Sequence, residues 1–174
     1  HIRIMGDKIA AKRTAIELGL PVVPGSEGVL AGEAEATAEA RRLGFPVLIK
    51  AVAGGGGRGM TVVRDAGELR DAMRMARNEA RLGFGDDRVY LEKFLDRPRH
   101  IEIQVLADTH GHVVHLGERD CSMQRRHQKV IEEAPSPVLD AAERARIGML
   151  VADAMRKLGY RGLGTVEFLW QDNA

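Results

Sequence analysis

The sequence predicts an α+β protein built from two successive sheet-and-helix parts, and three observations carry that expectation. Pro46-Val47-Leu48-Ile49-Lys50 and Met60-Thr61-Val62-Val63 flank the tract Gly54-Gly55-Gly56-Gly57-Arg58-Gly59, which reads as a hairpin with a mobile glycine tip. His100 to Val105 alternates strictly, with Ile101, Ile103 and Val105 on one face and His100, Glu102 and Gln104 on the other. Between these strand groups Leu69, Met73, Ala76 and Ala80 recur on one helical face.

Element by element, Asp7 is placed to cap a helix from Lys8 to about Leu18, with Gly19 as its left-handed terminator and Pro21 beyond. An Ala- and Glu-rich helix runs from about Glu33 to Leu43 and stops at Gly44 and Pro46. Asp65 and Glu68 form an Asp variant of the capping box before the Leu69 helix. Val89-Tyr90-Leu91 is a short strand leading into Glu92-Lys93, and the polar run Asp96 to Arg99 marks a boundary. After the His100 strand, Asp108 to Gly111 supplies turn residues and Val113 to Arg119 a partner strand. Asp140 and Glu143 open a helix carrying Ile147, Val151, Ala154 and Leu158 on one face, Gly159 ends it, and Leu163 to Trp170 is the last strand.

Composition narrows the function classes. With 26 Lys plus Arg against 25 Asp plus Glu, the net charge of +1 offers no general attraction to nucleic acid or membrane. No apolar run approaches the ~20 residues of a membrane span. One cysteine, Cys121, excludes an internal disulfide framework and fits a reducing compartment, so a cytoplasmic setting is expected.

Lys50 closing a strand beside a glycine tract puts a point positive charge next to unshielded backbone N–H groups, which suits phosphate. The tract matches neither the Walker pattern nor the dinucleotide fingerprint. In the last strand Val166, Phe168 and Trp170 share a face, leaving Thr165 and Glu167 opposite; spacing alone makes Glu167 equally a solvent-facing residue or a metal ligand. A second concentrated signal is Glu118-Arg119-Asp120-Cys121-Ser122-Met123-Gln124-Arg125-Arg126-His127-Gln128-Lys129. It reads as a solvated charged strand, or as an anion pocket in which Lys129 and a neighbouring arginine hold a small oxyanion while His127 and Gln124 direct hydrogen bonds. An RNA-binding patch is the weakest reading, because stacking aromatics are absent nearby.

Taken together, Met5-Gly6-Asp7-Lys8, Val47 to Ala51 with the glycine tract, Glu92-Lys93-Phe94-Leu95, Pro98 to Gln104, Glu118 to Pro135 and Gly162 to Leu169 resemble the biotin carboxylase branch of the ATP-grasp enzymes. Within that branch the resemblance runs closest to the separate biotin carboxylase subunits of bacterial acetyl-CoA carboxylases. It implies an ATP-grasp fold: an interdomain helix over 1–21, a lid (B) domain over 22–94, and the first part of the carboxyl-terminal ATP-grasp domain over 95–174. It also implies an activity, in which MgATP (or MnATP) and bicarbonate form carboxyphosphate and biotin on a carrier protein is carboxylated. That is the first step of acetyl-CoA carboxylation to malonyl-CoA for fatty acid synthesis. By the same resemblance Lys8 and Lys50 contact ATP phosphates, and Gly56 and Gly57 close over them. Glu92, Lys93, Phe94 and Leu95 hold the adenine edge, and His100, Gln124 and His127 complete the nucleotide pocket. Lys129 binds bicarbonate, as the one catalytic group expected here, and Glu167 is a Mg²⁺ ligand that also belongs to the ATP site. Implied partners are the biotin carboxyl carrier protein, a carboxyltransferase and, in the whole enzyme, a second copy in a homodimer.

The chain opens on His1 and stops four residues after Trp170, so it is expected to be the central piece of such an enzyme and unable alone to complete biotin carboxylation. Strands after Phe94 are then expected to lack sheet partners and to favour association. A non-catalytic nucleotide-binding module stands as the second function class, and parentage in a propionyl-CoA, methylcrotonyl-CoA or pyruvate carboxylase stays open because nothing here reads an acyl chain.

Overall fold

The structure is a computed structural model that describes residues 8–54, 59–126 and 128–171. Its elements in chain order are α1 (Lys8–Glu17), α2 (Glu33–Leu43), β1 (Val47–Ala51), β2 (Met60–Val63), α3 (Leu69–Phe84), β3 (Val89–Lys93), β4 (Arg99–Ala107), β5 (Val113–Arg125), β6 (Gln128–Glu133), α4 (Ala141–Leu158) and β7 (Gly162–Trp170). They divide into two compact units: residues 8–13 with 22–95, and residues 14–21 with 96–171.

The first unit holds a three-stranded antiparallel sheet in the order β2-β1-β3. Val47, Ile49 and Ala51 of β1 and Val89 and Leu91 of β3 point to one face, where α2 and α3 cover them through Ala36, Ala40, Leu69, Met73 and Ala76. Full burial of side chains such as Ile49 and Leu91 is worth roughly 1.5–3 kcal/mol each, and this apolar face anchors the sheet. The predicted hairpin is present, with Lys50 opposite Met60. Its tip, including Gly56 and Gly57, lies outside the described residues, as does Asp7. Gly59 closes the tip at φ +69°, and its carbonyl accepts from Ala51 N–H at 2.8 Å.

The capping box at Asp65 differs from expectation. Asp65 Oδ1 accepts from the N–H groups of Gly67 and Glu68, and Glu68 Oε2 accepts from Arg64 N–H, but the α-helix itself starts only at Leu69. The side chains therefore close a turn ahead of the helix, and the N-cap residue Glu68 makes no side-chain bond to the first turn. By contrast Asp140 Oδ1 accepts from Glu143 N–H at 2.8 Å, as a helix cap does, and Gly159 at φ +66° terminates α4.

The second unit is a four-stranded antiparallel sheet in the order β6-β5-β4-β7 with α4 packed on one face. Ile101, Ile103 and Val105 of β4, with Val166, Phe168 and Trp170 of β7, meet Ile147, Val151, Ala154 and Met155 of α4. Two strand predictions fell short: β5 runs on to Arg125, and β6 was not foreseen. All six residues of β6 are exposed, so no period-2 burial signal existed to reveal it.

Gly148 in α4 lies against the His115 ring of β5, and a Cβ there would run into the imidazole. Gly148→Ala gains about 1 kcal/mol of helix propensity but overpacks the contact at a cost of about 1–3 kcal/mol. A net loss of about 1 kcal/mol, roughly 3 °C in melting temperature for a chain of this size, is expected by calorimetry. A raised melting temperature would mean that His115 moves aside freely.

Candidate functional site

In the first unit the sheet face opposite the core is charged. Leu48 faces Glu92 and Lys50 faces Tyr90 across the β1–β3 ladder, so Lys50 and Glu92 are diagonal neighbours on one face, within reach of a long side chain. Lys50 Nζ lies 2.7 Å from Glu92 Oε2 and 5.6 Å from the Tyr90 ring centroid. Lys8 and Lys12 occupy successive turns of α1; Lys8 Nζ donates to Ala51 O at 3.3 Å, and Lys12 Nζ lies 3.2 Å from Glu92 Oε1. Three lysines thus gather around one carboxylate, an excess of positive charge suited to a polyanion.

Burial pulls the Lys50 ammonium down, but Glu92 and Tyr90 outweigh it and hold the pKa above the ordinary lysine value. Lys8 moves the other way, lowered by burial and then by the charge of Lys50, with Glu92 only partly offsetting. Burial, followed by Glu92, raises the Tyr90 phenol.

The other residues of the Glu92–Leu95 segment are engaged locally. Lys93 Nζ donates to Gly44 O at 2.8 Å and Phe45 O at 3.2 Å, capping the end of α2, while its N–H donates to Pro24 O. Phe94 N–H donates to Pro46 O at 3.2 Å, and Leu95 is half-buried.

In the second unit His100, Glu102 and Gln104 do share the face opposite the core, but Glu102 does not look at open water: the residue is only 5% exposed. It lies opposite Arg119 on β5 and Glu167 on β7. Arg119 Nη2 approaches Glu102 Oε2 at 2.9 Å, and Lys129 Nζ makes a close ion pair with Glu102 Oε1. Lys129 also lies 3.6 Å from Glu167, whose Oε1 is 3.4 Å from His100 Nδ1. The His100 hydrogen bond and the Lys129 charge hold the Glu167 carboxyl below its usual range against a burial effect that would raise it. At neutral pH Glu167 is a charged, half-exposed oxygen donor, which fits a hard cation such as Mg²⁺.

The arginine accompanying Lys129 is Arg119, through their shared carboxylate, whereas Arg125 and Arg126 are exposed. Gln124 pairs across strands with Lys129, but its amide donates to Cys121 O at 3.0 Å. His127 lies outside the described residues. Glu102, Cys121 and Glu132 place ligand atoms within 4.8 Å of one another. Burial and then Glu132 raise the Cys121 thiol, which disfavours the thiolate a metal would need. Sequence reasoning missed Glu102 and Arg119 as charged partners, and missed Lys12 altogether; the i,i+4 spacing from Lys8 was the one signal for Lys12.

The two sheets with their helices define an ATP-grasp fold, as in the solved structures that match it. The chain belongs to the family described as the carbamoyl-phosphate synthase L chain ATP-binding domain, whose model matches residues 7–174. It is 52% identical over 172 residues to the biotin carboxylase of Haemophilus influenzae, covering 98% of this chain and 38% of that protein. Among solved structures, the biotin carboxylase domain dimer of Hydrogenobacter thermophilus 2-oxoglutarate carboxylase, in complex with MgADP, ADP and bicarbonate, superposes with a TM-score of 0.92 at 48% identity. That match covers 97% of this chain and 37% of the other. The Campylobacter jejuni biotin carboxylase complex with β-γ-ATP gives a TM-score of 0.91 at 50% identity, covering 97% and 38%. The chain therefore spans a little over a third of the length of these relatives.

Proposed function

We propose that this chain is the ATP-binding part of a biotin carboxylase, with a lid over 22–94 and the opening of the carboxyl-terminal ATP-grasp domain over 95–174. The observation that carries the reading is the pairing of Lys12 and Lys50 on Glu92, with Lys8 on the neighbouring Ala51 carbonyl, at the base of the β1–β2 hairpin. Lys8 and Lys50 take the ATP phosphates, Gly56 and Gly57 close over them, and Glu92 to Leu95 hold the adenine edge. His100, Gln124 and His127 complete the pocket. Lys129 exchanges Glu102 for bicarbonate, an anion entering where a carboxylate already sits between Lys129 and Arg119. Glu167 is one ligand of Mg²⁺ (or Mn²⁺), which when bound neutralises phosphoryl oxygens as charge develops.

The whole protein then makes carboxyphosphate and carboxylates biotin on its carrier protein, as a cytoplasmic homodimer working with a carboxyltransferase. Acetyl-CoA carboxylation for fatty acid synthesis is the setting we favour; one of the relatives is a domain of a 2-oxoglutarate carboxylase, so the acceptor is set outside this chain. Titration of the folded chain with MgATP by calorimetry tests the reading. Saturable binding with Kd between about 1 μM and 1 mM, in the range enzymes use for substrates, is expected; no heat from a folded sample rejects it.

A further inference from the structure

Lys12 has no part in the roles above, yet it is built into the same cluster. Its ammonium meets Glu92 Oε1 at 3.2 Å while Lys50 meets Oε2 at 2.7 Å, so each carboxylate oxygen is held by a lysine from a different element. Both side chains of the Lys12–Glu92 pair are largely buried, at 17% and 14% exposure. Room for the ammonium exists because residue 25 is glycine: a Cβ there would stand 2.6 Å from Lys12 Nζ, 3.2 Å from Glu92 Cγ and 2.5 Å from Leu91 O. Gly25 is bridged to Glu92 by backbone pairing, and its carbonyl accepts from Arg42 Nη2 at 2.8 Å. The gap is thus part of the fold.

We propose that Lys12 is a positioning residue that fixes the Glu92 carboxylate for base recognition, with Gly25 as the opening that admits it. The proposal rests on the nucleotide reading of Glu92 and Lys50. An ionised carboxylate only accepts hydrogen bonds. Adenine offers an exocyclic N–H donor where guanine offers a carbonyl oxygen, so a carboxylate pinned at both oxygens favours adenine and repels guanine. Freed at Oε1, Glu92 keeps Lys50 alone and turns away from the guanine carbonyl, so discrimination falls while the phosphate contact through Lys50 persists.

The test compares Kd for MgATP and MgGTP in the chain and its Lys12→Met, Lys12→Gln and Lys12→Arg variants, each first shown to be folded by circular dichroism. Lys12→Met is expected to cut the ATP-over-GTP preference about tenfold, the equivalent of one charged hydrogen bond. Lys12→Arg is expected to restore most of it, a rescue that a merely structural role would not produce. If Lys12→Met does not fold, Lys12→Gln, which keeps a neutral donor, carries the comparison and is expected to show a smaller loss. A preference within twofold of the unsubstituted chain in the folded variant overturns the proposal and leaves the nucleotide reading standing. An unsubstituted chain that binds ATP and GTP alike also overturns it. Failure of the unsubstituted chain to bind ATP at all rejects the nucleotide reading itself, and this proposal falls with it.

Discussion

Lys50→Met is expected to weaken MgATP binding roughly 10- to 100-fold. The size follows from a hydrogen bond between charged groups, worth about 1.5–3 kcal/mol, with each 1.4 kcal/mol a factor of ten. Methionine keeps an unbranched apolar stem at this position, and Glu92 keeps Lys12 as partner, so the sheet survives the change. The pH dependence has a definite sign. Burial lowers the Lys50 pKa, but Glu92 and Tyr90 raise it further, so the net shift is upward. A raised pKa means that the charged form persists below the ordinary lysine value and is lost only as pH climbs past the raised one. MgATP affinity should accordingly show no loss from this group between about pH 6 and 9, where lysine is charged in any case. Calorimetry of the variant beside the unsubstituted chain checks both points, and affinities equal within twofold would remove Lys50 from the phosphate site.

Asp120→Ala is expected to destabilise the second unit by about 3 kcal/mol. The residue is 2% exposed, and its carboxylate accepts from Ser122 N–H at 3.0 Å, closely from Ser122 Oγ, from Ser136 Oγ at 3.2 Å and from Arg99 Nη1 at 3.1 Å. Deleting one member of a buried ion pair costs about 3–5 kcal/mol; the lower end applies because Arg99 is 43% exposed and regains water. Asp120→Asn isolates the charge. Burial pushes this carboxyl up, but Ser122, Ser136 and Arg99 prevail and leave its pKa below the ordinary value. A depressed pKa gives stability that is complete above the unfolded value, about 3.9, and is lost as pH falls through the folded one. The stability gap between the unsubstituted chain and Asp120→Asn should therefore narrow below about pH 4. Urea melts at pH 7 and pH 3 measure it, and a gap that stayed constant or widened would contradict the assignment.

Much of the fold was legible because its signals are local. The α2 helix from Glu33 to Leu43, the Lys50–Met60 hairpin and the strands at His100 and Leu163 each announce themselves through periodicity or turn residues within a few positions. The strand β6 did not, since a fully exposed edge carries no alternation. In the candidate site, Lys50, Glu92, Lys129 and Glu167 were legible as residue types in family motifs. Their partners were not: Lys12 and Glu92 are 80 positions apart, and nothing local couples them.

By itself the sequence determined the α+β class, the order of the elements other than β6, and a stock of lysines, glycines and carboxylates suited to a nucleotide and an anion. Only the tertiary structure decided which charges meet. Period-2 alternation says that Glu102 leaves the core face; it cannot say whether that face is wet. The register of β4 with β5 and β7, and the arrival of β6, bring Arg119, Glu167 and Lys129 to that carboxylate, and the cations Arg119 and Lys129 offset the cost of burying it.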